Sequence, residues 1–465
     1  MPNDPPIRAY NDRNVYILGA GFSADAGFPL IKDFMNRMRD AAAWLEAQGG
    51  RNAEKEAIER VLEFRIRAAA AAHRVPLNIE NVEELFSLAS ASGDKKLADS
   101  MPLAIAATLE YARQTAKPTD VWSRLQIGVL DRPDWKRPAS WRMPLSYIQE
   151  DMKKGVRKGQ WHSCPPYDFY MGVMCGYFNN NGDNHRDTII TFNYDNLIEQ
   201  SLQELDLPFH YGLPIEAISF DQSAARIKNS YANAGVALLK LHGSVNWIAL
   251  LPEQQERLGR RVLLAQLQVD EGKAVKPNRR LSGKPGYMRL SLCENYDAVR
   301  ARGVSPFLVP PTWHKMFVGF FAGVWDAAVA ALKTATNLVI LGYSVPPTDV
   351  HFRYLLAAGL QDNISLRKVF FVNPALGDEA GNAAERKRLE NQLIGPAGLF
   401  RPELREQGVI ELIPADTREF FTGPHDANSR ESYRERMGRP LNTYTCSGDD
   451  APFSVSDSQG RTFRR

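Results

Sequence analysis

Hydrophobic and polar positions follow two patterns along this chain. Short runs rich in branched apolar residues predict buried strands, and longer segments with apolar residues every three or four positions predict helices. The strand-like runs are Val15–Leu18, Thr188–Phe192, Val236–Leu241, Asn337–Leu341, Lys368–Val372 and Val409–Pro414. Helical segments alternate with them over much of the chain. This alternation predicts an α/β fold with a doubly wound, Rossmann-like parallel sheet.

The longest helical stretch lies between the first and second predicted strands. Helical spacing is found in Asp33–Ala47, Ala53–Ala72, Val82–Ala91, Leu103–Thr115 and Tyr167–Phe178. We therefore expect a large helical insertion from about 33 to 181. Later helices are predicted at Leu197–Leu205, Met316–Ala335, His351–Gly359 and Glu385–Leu393.

Two segments show neither pattern. Residues 251–293 are loop-like and locally basic, with few aromatic residues between the charges. We expect a solvated excursion or partner-facing flap there rather than a nucleic-acid surface. Residues 425–465 are polar with little periodicity, which predicts a mobile or partner-dependent tail. The main domain is predicted over 14–424.

Composition narrows the class of protein. The chain has 465 residues, 44% of them hydrophobic, and a formal net charge of only +3, so we expect no direct nucleic-acid binding. It has neither a signal-peptide h-region nor an apolar run near the roughly 18 residues of a membrane span, so we expect a cytoplasmic protein away from membranes. Its four cysteines form no CxxC pair, so no zinc or other metal site is expected.

The first candidate for chemistry follows the first strand. Gly19-Ala20-Gly21 comes directly after the apolar run, then Ser23 and an apparent helix start. A strand, a glycine turn and a helix N-terminus together can hold a phosphate. The spacing is not GxGxxG, because Ala24 stands at the third glycine position. A plain turn, in which glycine serves only the backbone, stays open.

Small or polar residues follow other strands as well. They are Asn193 and Asp195, His242 to Ser244, Gly342 with Ser344, and Asn373. A parallel sheet brings such strand ends together along one edge, where ligands bind. Each residue also has a structural interpretation. Asp195 can cap the next helix, His242 can be a hydrogen-bonded turn histidine, and Ser344 can shape a turn.

These residues resemble motifs of the sirtuins, the silent-information-regulator-type NAD-dependent enzymes. Gly19 to Ser23 with Ala26 to Pro29 resembles GAGxS…AGxP, and Thr191 to Asp195 resembles TxNxD. His242-Gly243 resembles the catalytic His-Gly. Gly342-Tyr343-Ser344 looks like GTS, and Val372-Asn373 like the Ile-Asn near adenosine. The motifs stand in sirtuin order between Asn14 and about Phe421, and they imply that NAD is bound as a substrate.

The departures from that family concern its protein substrate. Leu30-Ile31-Lys32 replaces Asp-Phe-Arg, both CxxC pairs of the zinc module are missing, and Val309–Trp313 replaces Phe-Gly-Glu. With the helical stretch, this combination resembles the bacterial sirtuin-like NAD hydrolases of antiphage defence. The segments Asn78–Leu85, Pro310–Lys315 and Gly342–Asp349 also look typical of that branch.

The resemblance implies roles for named residues. His242 would be the general base, since a histidine has an ordinary pKa of about 6.5. Asn193 would position water or the ribose hydroxyls, and Asp195 would hold the nicotinamide carboxamide. Ser344 would contact the ribose side and Asn373 the adenosine ribose. The other NAD-binding residues implied are Gly19, Ala20, Gly21, Phe22, Ser23, Pro29, Thr191 and Gly342.

The function that follows is NAD glycohydrolase activity. Cleavage of the nicotinamide–ribose bond would give nicotinamide and ADP-ribose and would deplete NAD in infected cells. An uncontrolled enzyme of this kind is toxic, so we expect regulation by assembly or by a separate sensor or activator protein. The resemblance also implies a homo-oligomer. Two alternatives stay open: an NAD-dependent deacylase or ADP-ribosyltransferase, and a non-enzymatic NAD or ADP-ribose sensor.

Overall fold

The computed structural model describes most of the predicted main domain. The described residues are 13–116, 165–175, 187–250, 289–309, 320–345, 350–377, 383–395, 398–422, 444–445, 454–456 and 462–464. Parts of the predicted helical insertion (117–164 and 176–181), of the basic segment (251–288) and of the tail lie outside them. The same holds for 310–315 and 346–349, two segments on which the resemblance partly rests.

Parallel strands organise the chain. In chain order the strands are β1 (Asn14–Leu18), β2 (Thr188–Thr191), β3 (Phe209–His210), β4 (Ile218–Phe220), β5 (Val236–Lys240), β6 (Trp247–Leu250), β7 (Arg289–Leu292), β8 (Asn337–Leu341), β9 (Lys368–Val372) and β10 (Ile410–Ile413). Seven of them form one parallel sheet in the order β10-β9-β8-β1-β2-β5-β3. All five residues of β1 and of β8 are buried. Strands of a parallel sheet are buried on both faces because helices cover both sides of the sheet.

Helices separate these strands. They are α1 (Phe34–Gln48), α2 (Asn52–Ala72), α3 (Val82–Ala91), α4 (Lys95–Thr115), α5 (Pro165–Met174), α6 (Leu197–Glu204), α7 (Ala225–Ser230), α8 (Tyr296–Ala301), α9 (Phe320–Thr334), α10 (Val350–Leu360), α11 (Ala383–Ile394), α12 (Pro402–Glu406) and α13 (Thr417–Thr422). The first five lie between β1 and β2 in sequence. The predicted α/β, Rossmann-like fold with a doubly wound parallel sheet is confirmed. Among the described helices, none is both long and apolar enough to cross a bilayer.

Two hydrophobic cores hold these elements. The sheet core includes Ile17, Phe209 and Ile340. A second core is formed by α1 to α4 and includes Met38 and Phe86. This helix core also takes in Ile248 of β6, an edge strand of a small sheet in the order β4-β7-β6, and Tyr296 and Val299 of α8. The helices therefore pack on the chain segments that follow β5, next to the main sheet.

Three expectations need correction. The segment 251–293 is not loop throughout, because Arg289–Leu292 forms β7 and pairs with both β4 and β6. The polar tail contains a three-stranded antiparallel sheet of β11 (Tyr444–Thr445), β12 (Ser454–Ser456) and β13 (Thr462–Arg464). The helix expected from about Ser23 is a 3-10 helix from Ala20 to Ala26. Strands this short and a turn this tight have no periodicity to reveal them.

A buried carboxylate links three strands at the amino end of the sheet. Asp187 Oδ1 accepts a hydrogen bond from Asn14 N (3.0 Å), and its Oδ2 accepts one from Asn14 Nδ2 (3.1 Å). Asn337 Nδ2 donates to Asn14 Oδ1 (2.9 Å). Burial raises the pKa of Asp187 to about 7, against the opposing effect of the hydrogen bonds from Asn14.

This pKa gives a stability prediction. The folded protein binds the Asp187 proton more tightly than the unfolded chain, so the free energy of unfolding falls as pH rises from about 4 to 7. At roughly 1.4 kcal/mol per pKa unit, the loss amounts to about 4 kcal/mol at most. Urea unfolding at several pH values should show this slope in the wild type and a flatter one in Asp187→Asn. Equal slopes in the two proteins would contradict the prediction.

Candidate functional site

The sheet reverses its strand order between β1 and β8. The chain runs outward from β1 through β2 and β5, and β8, β9 and β10 extend the other side. Open α/β sheets bind ligands beyond the carboxyl ends of the strands at such a point. The residues that follow β1 and β8, Gly19–Ser23 and Gly342–Ser344, meet there. We call them the first and second glycine turns.

The two turns are joined through their backbones. Gly19 N donates to Leu341 O (3.0 Å), and Gly21 N donates to Gly342 O (2.8 Å). A Cβ on Gly19 would lie 2.7 Å from Gly342 O, and one on Gly21 would lie 2.8 Å from Gly342 Cα. Gly342 has a φ of +64°, where L-residues are strained. The glycines therefore permit close contact between the turns themselves.

This contact limits what the first turn can offer to a phosphate. The amides of Gly19 and Gly21 already donate to the second turn's strand and backbone, and Phe22 N donates to Gly19 O. The segment Ala20–Ala26 is a 3-10 helix. Its C-cap residue is Gly27, which has a φ of 86°. A free α-helix N-terminus is thus not formed here. The other two residues of this turn are Ala20, which is half-buried, and Ser23, which is buried.

A hydrogen-bonded network connects β1 to the end of β2. Asn193 Nδ2 donates to Gly19 O (2.9 Å) and to Ser23 Oγ (2.9 Å). Ser23 Oγ in turn donates to Asp195 Oδ2 (2.9 Å). Ser23 and Asp195 are 2% and 6% exposed. Ser23 is therefore in direct contact with two predicted site residues, Asn193 and Asp195, which lie 170 and 172 positions further along the chain.

Thr191 and Asp195 also form hydrogen bonds with backbone groups. Thr191 Oγ1 donates to Leu18 O (3.1 Å) and accepts from Asn193 N (3.1 Å). Asp195 Oδ1 accepts from Leu197 N (3.1 Å), at the start of α6. Asp195 thus precedes the N-cap residue, Asn196, and binds the first backbone N–H of the helix, while its second oxygen accepts from Ser23.

Aromatic rings surround His242, which is 5% exposed. Phe192 meets it edge-on at 5.1 Å between ring centroids, and Tyr194 lies 5.8 Å away. Tyr343 of the second glycine turn stacks on Phe192 at 5.1 Å. His242 O accepts from Val309 N (2.9 Å), and Tyr194 OH donates to Val309 O (2.9 Å). His242 therefore lies at the same sheet edge, in a largely apolar wall.

Asn373 and Ser344 lie at the second glycine turn, whereas Phe22 and Pro29 are buried. Asn373 Nδ2 donates to Tyr343 O (3.3 Å), and its Oδ1 accepts from Ala375 N (3.0 Å). Ser344 is half-buried and precedes Val345, a β-branched residue with a φ of 50°. Phe22 and Pro29 are buried, and Phe22 packs edge-on against Tyr167 at 5.2 Å. Phe22 is thus a core residue rather than an exposed contact.

A cleft adjoins the network on the side of the helix core. It is a small cleft of about 20 Å³ between α4, α6 and α8, and Asp195 lies in its wall. Glu110 and Arg113 of α4 also line it and form a bidentate ion pair, with distances of 2.8 and 3.0 Å. The sequence analysis did not identify these two residues, because their helical spacing is that of any i,i+3 surface pair.

A buried ion pair was also missed. Lys240, the last residue of β5, has its Nζ 2.9 Å from Glu199 Oε1 in α6, and the two side chains are 0% and 2% exposed. Tyr211 OH donates to the same carboxylate oxygen (3.2 Å), and burial together with Glu199 raises the pKa of Tyr211. The only available signal was a charged residue at the end of the otherwise apolar run Val236–Lys240.

Within the described ranges, no three His, Cys, Asp or Glu side chains come close enough to hold a metal ion. Neither a protein-family model nor a curated protein matches the chain. A function must therefore be inferred from the residues that the structure brings together at the edge of the sheet. Every strand-end motif singled out in the sequence lies at the carboxyl edge of β1, β2, β5, β8 or β9.

The contact between the glycine turns gives a second prediction. In Gly342→Ala the new Cβ would overlap the backbone nitrogen of Phe22, so the turns must separate. Gly408→Ala is a matched control, because Gly408 has a φ of +69° with no atom within 4 Å of the new Cβ. We expect Gly408→Ala to lose about 1–2 kcal/mol of unfolding free energy and Gly342→Ala clearly more. Similar losses in urea unfolding would show that the turns are not in close contact.

Proposed function

We propose that this chain is an NAD glycohydrolase that releases nicotinamide and ADP-ribose. One observation carries the proposal: Asn193 and His242 stand with two glycine turns at the strand-order reversal of a parallel sheet. That position suits a dinucleotide, and the two side chains suit a hydrolysis that needs no strong nucleophile. The five motifs that resemble those of sirtuins follow strands of this edge, and along the chain they stand in sirtuin order.

The contacts of Asn193 support a positioning role. Its amide nitrogen is committed to Gly19 O and Ser23 Oγ. Its Oδ1 is the atom that remains to accept a hydrogen bond from a ribose hydroxyl or a water. Because Nδ2 is held by two acceptors, the direction of Oδ1 is fixed before substrate arrives. A preset acceptor lowers the cost of orienting the reacting water.

The surroundings of His242 support a role as the general base. Phe192, Tyr194 and Tyr343 form an apolar wall around or beside its ring. Exclusion of bulk water strengthens electrostatic interactions with a cation-like sugar as nicotinamide leaves. His242 would take the proton of the attacking water at an imidazole nitrogen. General base catalysis of this kind contributes about 10²–10⁴-fold.

The biological setting belongs to the same proposal. The resemblance to sirtuin-like NAD hydrolases suggests an effector of antiphage defence that acts by NAD depletion. A homo-oligomer and a separate activator would keep such an enzyme inactive in healthy cells. No zinc is needed for the steps assigned to Asn193 and His242.

The test is NAD turnover by the purified chain without an acyl peptide, with products separated by chromatography. We expect nicotinamide and ADP-ribose from the wild type, alone or with lysate of phage-infected cells. Asn193→Ala and His242→Ala should lower kcat by about 10²–10⁴-fold. Asn337→Ala is the matched control, because it removes a buried, hydrogen-bonded asparagine at the opposite edge of the sheet. Its folded fraction should turn over NAD normally.

Other outcomes would replace the proposal. Cleavage that requires an acyl-lysine peptide would favour a deacylase, and transfer of ADP-ribose to a protein would favour a transferase. Tight binding of NAD that stays intact under all conditions would favour a sensor. Undiminished cleavage by folded His242→Ala would remove the general base from the mechanism.

A further inference from the structure

The buried ion pair between Lys240 and Glu199 connects the end of β5, which precedes His242, with α6, which follows β2 and Asn193. Lys240 ends β5 two residues before His242, and Glu199 lies in α6, which follows the turn of Asn193 to Asn196. Both side chains are almost completely excluded from solvent. The pair is thus placed between the elements that present His242 and Asn193.

Lys240 also binds the turn directly. Its Nζ donates a hydrogen bond to the carbonyl oxygen of Asp195. The preceding carbonyl, Tyr194 O, accepts from Val245 N (2.9 Å) and from Ser244 Oγ (3.2 Å). Residues on both sides of His242 therefore hold two successive carbonyls of the turn that carries Asn193 and Asp195.

Stability alone does not account for this pair. Two buried charges lose their hydration, and apolar residues of similar volume usually give equal or greater stability. Glu199 Oε2 accepts no hydrogen bond from any residue in the described part of the chain. The pair therefore keeps an uncompensated acceptor, while its lysine contacts a backbone carbonyl of the site.

We propose that Lys240 is a positioning residue, which holds the Asn193–Asp195 turn in a set place against His242, with Glu199 as its ion-pair partner. The catalytic part of this inference rests on the proposed NAD cleavage. Lys240 acts through the Asp195 carbonyl and has no contact with solvent of its own. Its removal should displace Asn193 and Tyr194 relative to the His242 ring.

The experiment separates positioning from stability. Lys240→Met alone leaves Glu199 buried without its partner and should lower the melting temperature. The double variant Lys240→Met/Glu199→Leu should recover the melting temperature. Its kcat should nevertheless fall on the order of 100-fold, because small misplacements of reacting groups have such effects. Arg226→Met/Glu204→Leu removes a more exposed ion pair between α6 and α7 and should leave kcat unchanged.

A second readout does not depend on NAD cleavage. The imidazole signals of His242, assigned by comparison with His242→Ala, should be shifted by the nearby rings of Phe192 and Tyr194. In the double variant these NMR signals should move, and in the Arg226/Glu204 control they should not. If the double variant does not fold, Lys240→Gln/Glu199→Gln supplies the test. The two amides are neutral and can hydrogen-bond to each other, but the donor at position 240 is one bond closer to Cα than the lysine Nζ. The His242 NMR signals of this variant should therefore shift in the same way.

Two results would overturn the inference. One is a double variant with wild-type kcat, and the other is an unchanged His242 signal in a folded double variant. Absence of NAD cleavage in the wild type would count against the proposed function alone. The His242 signals would then still decide whether Lys240 positions the turn.

Discussion

The close approach of two backbone turns is the constraint on which the rest of this site depends. Gly19, Gly21 and Gly342 meet where the two halves of the parallel sheet join, and side chains at these positions would not fit. Asn193 reaches this junction through Gly19 O, and Asn373 reaches it through Tyr343 O. Residues from four strand ends thus depend on one contact between peptide groups.

Much of the fold could be predicted because its strands are buried and apolar. The bounds of β8 and β9 agree with the sequence patterns, and α3 agrees at both ends. Strand β7 could not be predicted from its own four residues, because it exists through pairing with β4 and β6. The 3-10 helix after β1 likewise depends on Gly342 O, a partner more than 300 residues away.

For the site, the sequence indicated which residues meet but not how they are used. Polar residues after parallel strands were expected at one edge, and Ser23 does contact both Asn193 and Asp195. The glycines looked suited to a ligand, yet in the structure they face each other. Lys240 gave little signal, because a lysine at a strand end is ordinarily solvated, and only the packing of α6 shows that it is buried.

The division between the two hydrophobic cores passes through the residues around His242. Leu241 belongs to the sheet core, whereas Val245, Ile248 and Leu308 belong to the core of α1 to α4. His242 thus lies at a seam between two separately packed bodies of side chains. Packed cores shift as units rather than deform continuously. A relative shift of these two would act on the segment from His242 to Ile248, in which Trp247 still belongs to the sheet core, so the helices have a connection to the histidine through that segment.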